Sequence, residues 1–303
     1  MSVLGTGARA SILPKNDLDQ QDNSFGPSNV TEEQFNKITD AIVDMWQPLA
    51  QLHGAKLVAI KAWNDSTVNA YAEQSGNEWR VRMFGGLARR QEVTADGFAL
   101  VVCHELGHHF GGYAYKDGHW ASAEGEADYF ATHVCARRIW GTSTEKNAQL
   151  AQNRQGLTNA CDAVWKDQDE RNLCYRTTDA GLSLARLLGA LGGETMPSTE
   201  SRDMNKVERT VTYHPRAQCR MDTYLHGALC PAKFDLKVIP GNPSAGAGRN
   251  TPEAEAEAGK YSCMEAANFQ VGYRPRCWFK ALNEAKFGDD DGDLLTRNWR
   301  NLW

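Results

Sequence analysis

The chain has 303 residues, 41% of them hydrophobic and 23% charged. That is enough for one large domain or two small ones with a sizeable core, and it excludes a disordered or fibrous protein. Its 33 Lys+Arg against 38 Asp+Glu give a formal net charge of -5, so the basic footprint of a nucleic-acid binder is missing. No apolar run approaches twenty residues, which excludes a transmembrane helix.

Residues 1–29 are rich in Asp, Gln, Asn, Ser, Gly and Pro and predict an irregular arm. Met1 to Lys15 has neither the basic start nor the apolar core of a signal peptide, so an exported protein would be expected here in mature form behind an added Met. A main domain is expected over 30–235. Thr31 and Gln34 form a capping box, and Phe35, Ile38, Ile42, Met45, Trp46 and Leu49 recur at helical spacing up to a stop at Gly54. Three strands are predicted next, Lys56 to Trp63, Val68 to Glu73 and Glu78 to Leu87, separated by Asn/Asp/Ser/Gly turns. A helix then runs from Ala95 to Gly111-Gly112, a second from near Ser122 towards Trp140, and others over Thr144 to Arg154 and Asp179 to Leu191. Residues 236–260, with Gly, Pro and Ser and then alternating Glu and Ala, predict a flexible linker to a last segment, 261–303, that holds Cys263, Cys277 and the terminal tryptophans.

The eight cysteines contain no C-x-x-C pair, which argues against a thiolate zinc finger or a thioredoxin-type site. Their even number predicts disulfides and hence an oxidising compartment, periplasmic or secreted rather than cytoplasmic. Short-range pairing suggests Cys161 with Cys174, Cys219 with Cys230 and Cys263 with Cys277.

The chemistry concentrates at His104-Glu105-Leu106-Gly107-His108, an H-E-x-x-H on a predicted helix. Residues four apart share a helix face, so both imidazoles can bind one ion, zinc by preference, while Glu105 can take a proton from water. The metzincin spacing would need a histidine at position 114, where Ala114 stands. In Glu124-Gly125-Glu126-Ala127-Asp128 the first and last residues share a face: Glu124 can serve as third ligand and Asp128 can accept a hydrogen bond from a ligand imidazole, with Glu126 pointing elsewhere. His109, His119 and His133 stay open as ligands, although no spacing selects them. Asp289 to Asp293 lacks the bidentate acid of an EF-hand loop and reads as a solvated acidic turn.

These blocks resemble the gluzincin metallopeptidases, most closely the HtpX-like and CAAX prenyl endopeptidase family. The resemblance implies that Glu124, opening an E-x-x-A-D-like stretch, is the third zinc ligand. It also implies that Asn69, Ala70 and Tyr71 lie on a strand bordering the cleft, and that His214-Pro215 with Arg220 places a histidine and an arginine near the zinc to stabilise the transition state. It covers roughly Phe35 to Leu225.

The expected fold is therefore α+β: a zincin-type catalytic domain with a small sheet of at least three strands on the zinc helix, surrounding helices and a disulfide-braced C-terminal segment. The expected function is a zinc-dependent endopeptidase with one zinc per chain on His104, His108 and Glu124. Glu105 would be its general base, His214 and Arg220 would stabilise the oxyanion, and Asn69 to Tyr71 would bind a protein or peptide substrate. Two alternatives are a non-hydrolytic zinc-binding chaperone or adaptor with His214 closing the site, and a latent protease gated by its C-terminal tail.

Overall fold

The computed structural model describes residues 9–18, 29–154, 159–242, 250–264 and 269–282. In chain order its elements are β1 (Arg9–Ser11), α1 (Glu32–Leu52), β2 (Lys56–Ala62), β3 (Ala70–Ser75), β4 (Glu78–Phe84), α2 (Gly85–Ala88) and α3 (Ala95–Phe110). Next come α4 (Glu124–Phe130), a π-helical turn (Ala131–Cys135) that continues it into α5 (Ala136–Trp140), and then α6 (Thr144–Gln152) and α7 (Asn159–Val164). The last are α8 (Gln168–Gly192), α9 (Ala217–Leu229) and α10 (Pro252–Ala258). The fold is α+β, with a mixed four-stranded sheet in the order β1-β3-β4-β2. β3 runs antiparallel to both β1 and β4, whereas β2 and β4 are parallel.

The first long helix forms as its sequence dictates. Thr31 Oγ1 accepts from the Gln34 amide while Gln34 Oε1 accepts from the Thr31 amide, so two otherwise orphan donors are satisfied. Phe35, Ile42, Trp46 and Leu49 bury one face, and Gly54 turns the chain at φ 70°. Helix α3 is different in kind. Thr94 caps it, and every residue from Gly97 to Phe110 is buried, so it runs through the core rather than along its surface. Phe35, Trp46, Phe98, Phe110 and Phe130 join the apolar cluster between this helix, α1 and the sheet.

Two features bring α4 onto α3. Gly107 removes the side chain at their crossing: a Cβ there would stand 2.8 Å from Ala127 Cα. The Cys103–Cys135 disulfide then ties α3 to the π-helical turn that follows α4.

The remaining cysteines pair as Cys161–Cys174, Cys219–Cys277 and Cys230–Cys263. The first is the expected pair; the other two correct the sequence-based pairing. Cys219 lies within α9 and Cys230 just past its end, and eleven residues of helix separate them by about 16 Å, beyond disulfide reach. Two further differences concern the chain ends. The N-terminal arm contributes strand β1. The stretch expected as a linker contains α10, capped by Thr251, begun by Pro252 and buried through Ala254 and Ala258. Trp299, Trp303 and the Asp289 to Asp293 run lie outside the described residues. Among the described residues no helix is long and apolar enough to cross a membrane.

Candidate metal centre and cleft

His104 and His108 project from the same face of α3 toward Glu124 at the first turn of α4. His104 Nε2 lies 3.3 Å and His108 Nε2 3.7 Å from Glu124 Oε2, and all three side chains are fully buried. The other ring nitrogens are occupied. His104 Nδ1 donates to Asp128 Oδ1 at 2.7 Å, and His108 Nδ1 donates to the Ser122 carbonyl at 2.8 Å. These bonds assign the proton to Nδ1 and turn each Nε2 lone pair inward. His104 Nε2, His108 Nε2 and Glu124 Oε2 are buried without a hydrogen-bond partner. Three convergent, orphaned donor atoms are what a cation would satisfy, so these residues could hold a metal. Two imidazoles and a carboxylate are a donor set that fits zinc.

The surroundings fix the charges. Burial opposes ionisation of Glu124, yet His108, His214 and Lys116 hold its carboxyl well below the usual range. The Lys116 Nζ stands 2.5 Å from Glu124 Oε1. Asp128 is likewise opposed by burial but held low by Arg220 and His104. Arg220 donates to it through Nε at 2.6 Å and Nη2 at 2.8 Å, and the Tyr224 hydroxyl donates to Oδ1 at 2.8 Å. This buried network locks the carboxylate that orients His104. For His104 itself, burial pushes down and Asp128 pushes up, to about 9.

Glu105 follows the first ligand in sequence but points to the cleft rather than into the cluster of three. Its Oε1 accepts from the Ile12 amide at 3.1 Å, while Oε2 is buried and unpartnered. Burial raises it to about 8, against the pull of His104 and with a push from Glu124. A carboxyl in that range can take and return a proton near neutral pH. His214 reaches the same place from the other wall: its Nε2 is 3.5 Å from Glu124 Oε2 and donates to the Ser11 carbonyl at 2.7 Å. That bond occupies the nitrogen a fourth ligand would use. Asn69 is buried beside β3, its Oδ1 accepting from the Leu13 amide and its Nδ2 donating to the Leu13 carbonyl, both at 3.3 Å. Ala70 pairs with Met83 and Tyr71 with Ser11, so both residues of the expected strand lie on β3.

Other candidates go elsewhere. Glu126, two residues past Glu124, is held by Arg274 at 2.5 and 3.1 Å. His109 stacks between Trp79 and Trp120 and is pushed down to about 4 by burial, and His133 bonds the Ala232 carbonyl. Neither binds the cluster, and both are buried. His119 is not among the grouped donors. Asp203 approaches Cys219 and Cys277, but the two cysteines are joined in a disulfide. Sequence reasoning missed Lys116, Tyr224 and the Ser122 carbonyl. Tyr224 carried a signal, since it stands four residues after Arg220 and so shares its helix face; Lys116 and Ser122 lie in a loop with no periodicity to read.

No family model, curated protein or solved structure matches this chain.

Proposed function

We propose that the protein is a zinc-dependent endopeptidase of gluzincin type, and that its four disulfides mark an exported protein, periplasmic or secreted. The observation that carries the reading is the buried trio of unpartnered donor atoms on His104, His108 and Glu124, with the Glu105 carboxyl beside it. Zinc, when bound, supplies Lewis-acid activation of water and of a peptide carbonyl. The chain's own residues do the rest. Glu105 takes a proton from water and returns it to the leaving amine. His214 donates to the carbonyl oxygen of the bond under attack, where negative charge develops. Arg220 holds Asp128, and through it the tautomer of His104; its Nη1 also donates to a backbone carbonyl in the cleft at 2.6 Å. The side of β3 that β1 covers would, with the arm displaced, supply backbone groups to an extended peptide.

The engagement of His214 Nε2 with a carbonyl favours this reading over an adaptor closed by a fourth histidine ligand. The test is Glu105→Gln, assayed for zinc by atomic absorption and for casein hydrolysis. Zinc should stay at one per chain while turnover falls by about 10²–10⁴-fold, the usual contribution of a positioned base. Unchanged turnover would overturn the mechanism.

A further inference from the structure

The cleft of this protein is filled by its own N-terminal arm, and the manner of filling is specific. β1 adds to the edge of β3 in antiparallel register, with Arg9 opposite Glu73, Ala10 opposite Ala72 and Ser11 opposite Tyr71. Take the arm away and β3 becomes the outer strand of the sheet, a template for any extended peptide. The arm is aligned on the site by one peptide unit. The Ser11 carbonyl accepts from His214, and the amide of the next residue, Ile12, donates to Glu105. The two halves of a single peptide bond thus meet the two residues assigned to the oxyanion and to the leaving amine. Beyond that bond, the Ile12 carbonyl accepts from Arg220, and Asn69 bonds both the amide and the carbonyl of Leu13. The Ile12 side chain is 0% exposed and joins the main apolar cluster, with Leu13 beside it.

We propose that the groove between β3 and the His104–Glu124 cluster takes extended peptides with a branched aliphatic residue just after the bond to be broken. We further propose that the chain's own Ser11–Ile12 bond is held there for cleavage. The inference rests on the peptidase reading above. One water is consumed: its oxygen bonds to the Ser11 carbonyl carbon, the Ser11–Ile12 C–N bond breaks, and both water protons end on the Ile12 nitrogen by way of Glu105. The products are a Ser11 carboxylate and an Ile12 ammonium. Release of the arm then opens the β3 edge to peptides supplied from outside. A strand that merely completed the sheet would need no histidine on one carbonyl and no catalytic carboxyl on the next amide.

Two measurements test this. The first is the intact mass of the wild-type full chain after zinc addition, beside casein hydrolysis by the same sample. A new N-terminus at Ile12 is expected, absent in Glu105→Gln, with a first-order rate independent of chain concentration because the arm reacts in its own cleft. Casein cleavage by a chain whose Ser11–Ile12 bond stays intact would overturn the arm proposal alone. A zinc-loaded chain that cleaves neither would overturn the peptidase reading itself. The second measurement needs no turnover. Ile12→Asp puts a carboxylate in the apolar pocket and should free the arm. The metal-free full-length variant should then bind a fluorescein-labelled peptide spanning residues 9–16 at least tenfold more tightly than the same peptide carrying Asp in place of Ile12. Equal binding of the two peptides would refute the pocket. The mass measurement requires no substitution and decides alone if Ile12→Asp does not fold.

Discussion

The described parts of the N-terminal arm and of the C-terminal segment both pack against the helices that carry the candidate metal centre, but they are held in opposite ways. At the front, the arm is attached by backbone hydrogen bonds, by Asn69 and by an Arg9–Glu73 ion pair at 2.8 Å, and no covalent link crosses from it to the body. At the back, the C-terminal segment is fastened by Cys219–Cys277 and Cys230–Cys263, and by Arg274 buried against Glu126. Trp278, 0% exposed, lies so close to Gly125 that a Cβ there would stand 2.2 Å from its ring. Val207 and Val211 bond the carbonyls of Arg276 and Trp278, so the same segment steadies the loop leading to His214. The contrast is between an attachment held by hydrogen bonds and one ion pair and an attachment held by two disulfides. A gating tail was one alternative offered by the sequence; the described part of the C-terminal segment packs at the back, and the described part of the arm lies beside the cluster.

The sharpest way to probe the difference between front and back uses two glutamates on one helix. Glu124 faces the cluster and Glu126 faces Arg274. Glu124→Ala should abolish metal binding, as should His104→Ala or His108→Ala. Glu126→Ala should keep one metal per chain but lose about 3–5 kcal/mol of stability, because it leaves the Arg274 guanidinium buried and unpaired. Atomic absorption and denaturant melts read the two outcomes separately. A metal-free Glu126→Ala with a metal-replete Glu124→Ala would reverse the assignment.

A next, slightly smaller effect belongs to the covalent staple. Cys219 and Cys277 are separated by 58 residues, and opening a loop of that length costs about 4 kcal/mol in the chain-entropy account. The double substitution Cys219→Ser with Cys277→Ser should lower the melting temperature while the metal content stays at one per chain. If metal were lost in parallel with stability, the tail would be part of the site's support and the division between front and back would blur.

How far the sequence could be read depended on whether the information was local. The capping box at Thr31, the helix from Ala95 and the i, i+4 pairs His104/His108 and Glu124/Asp128 are local helical signals, and each appears where it was expected. Asn69 was placed through a family resemblance rather than a physical rule, and the structure shows it bonded to Leu13 of the arm. Most of the failures are long-range. Disulfide partners 33 and 58 residues apart cannot be inferred from spacing, and short loops were the wrong guide. The arm was read as irregular because a three-residue strand leaves almost no pattern; its partner on β3 lies about sixty residues away. Alternating Glu and Ala around 252–258 suggested a linker because its acidic residues masked the two buried alanines.

The gentlest perturbation tests the claim that the front attachment opens. Asn69 is the one side chain that bonds both the amide and the carbonyl of Leu13, and its removal leaves α3, α4 and the cluster untouched. Each such bond contributes about 1 kcal/mol net, and both are long, so Asn69→Ala should weaken the arm by about 1 kcal/mol and leave the melting temperature of the body nearly unchanged. An opening equilibrium shifted by that amount rises about fivefold. Hydrogen exchange on a Glu105→Gln background, where the arm stays uncut, should therefore show faster exchange of the Ile12 and Leu13 amides and of the β3 amides they cover. The amides of Trp278 and Phe279, fastened through the disulfides, should exchange as before. Equal acceleration at both ends would mean that Asn69→Ala had loosened the whole fold, and that the arm does not open independently of it.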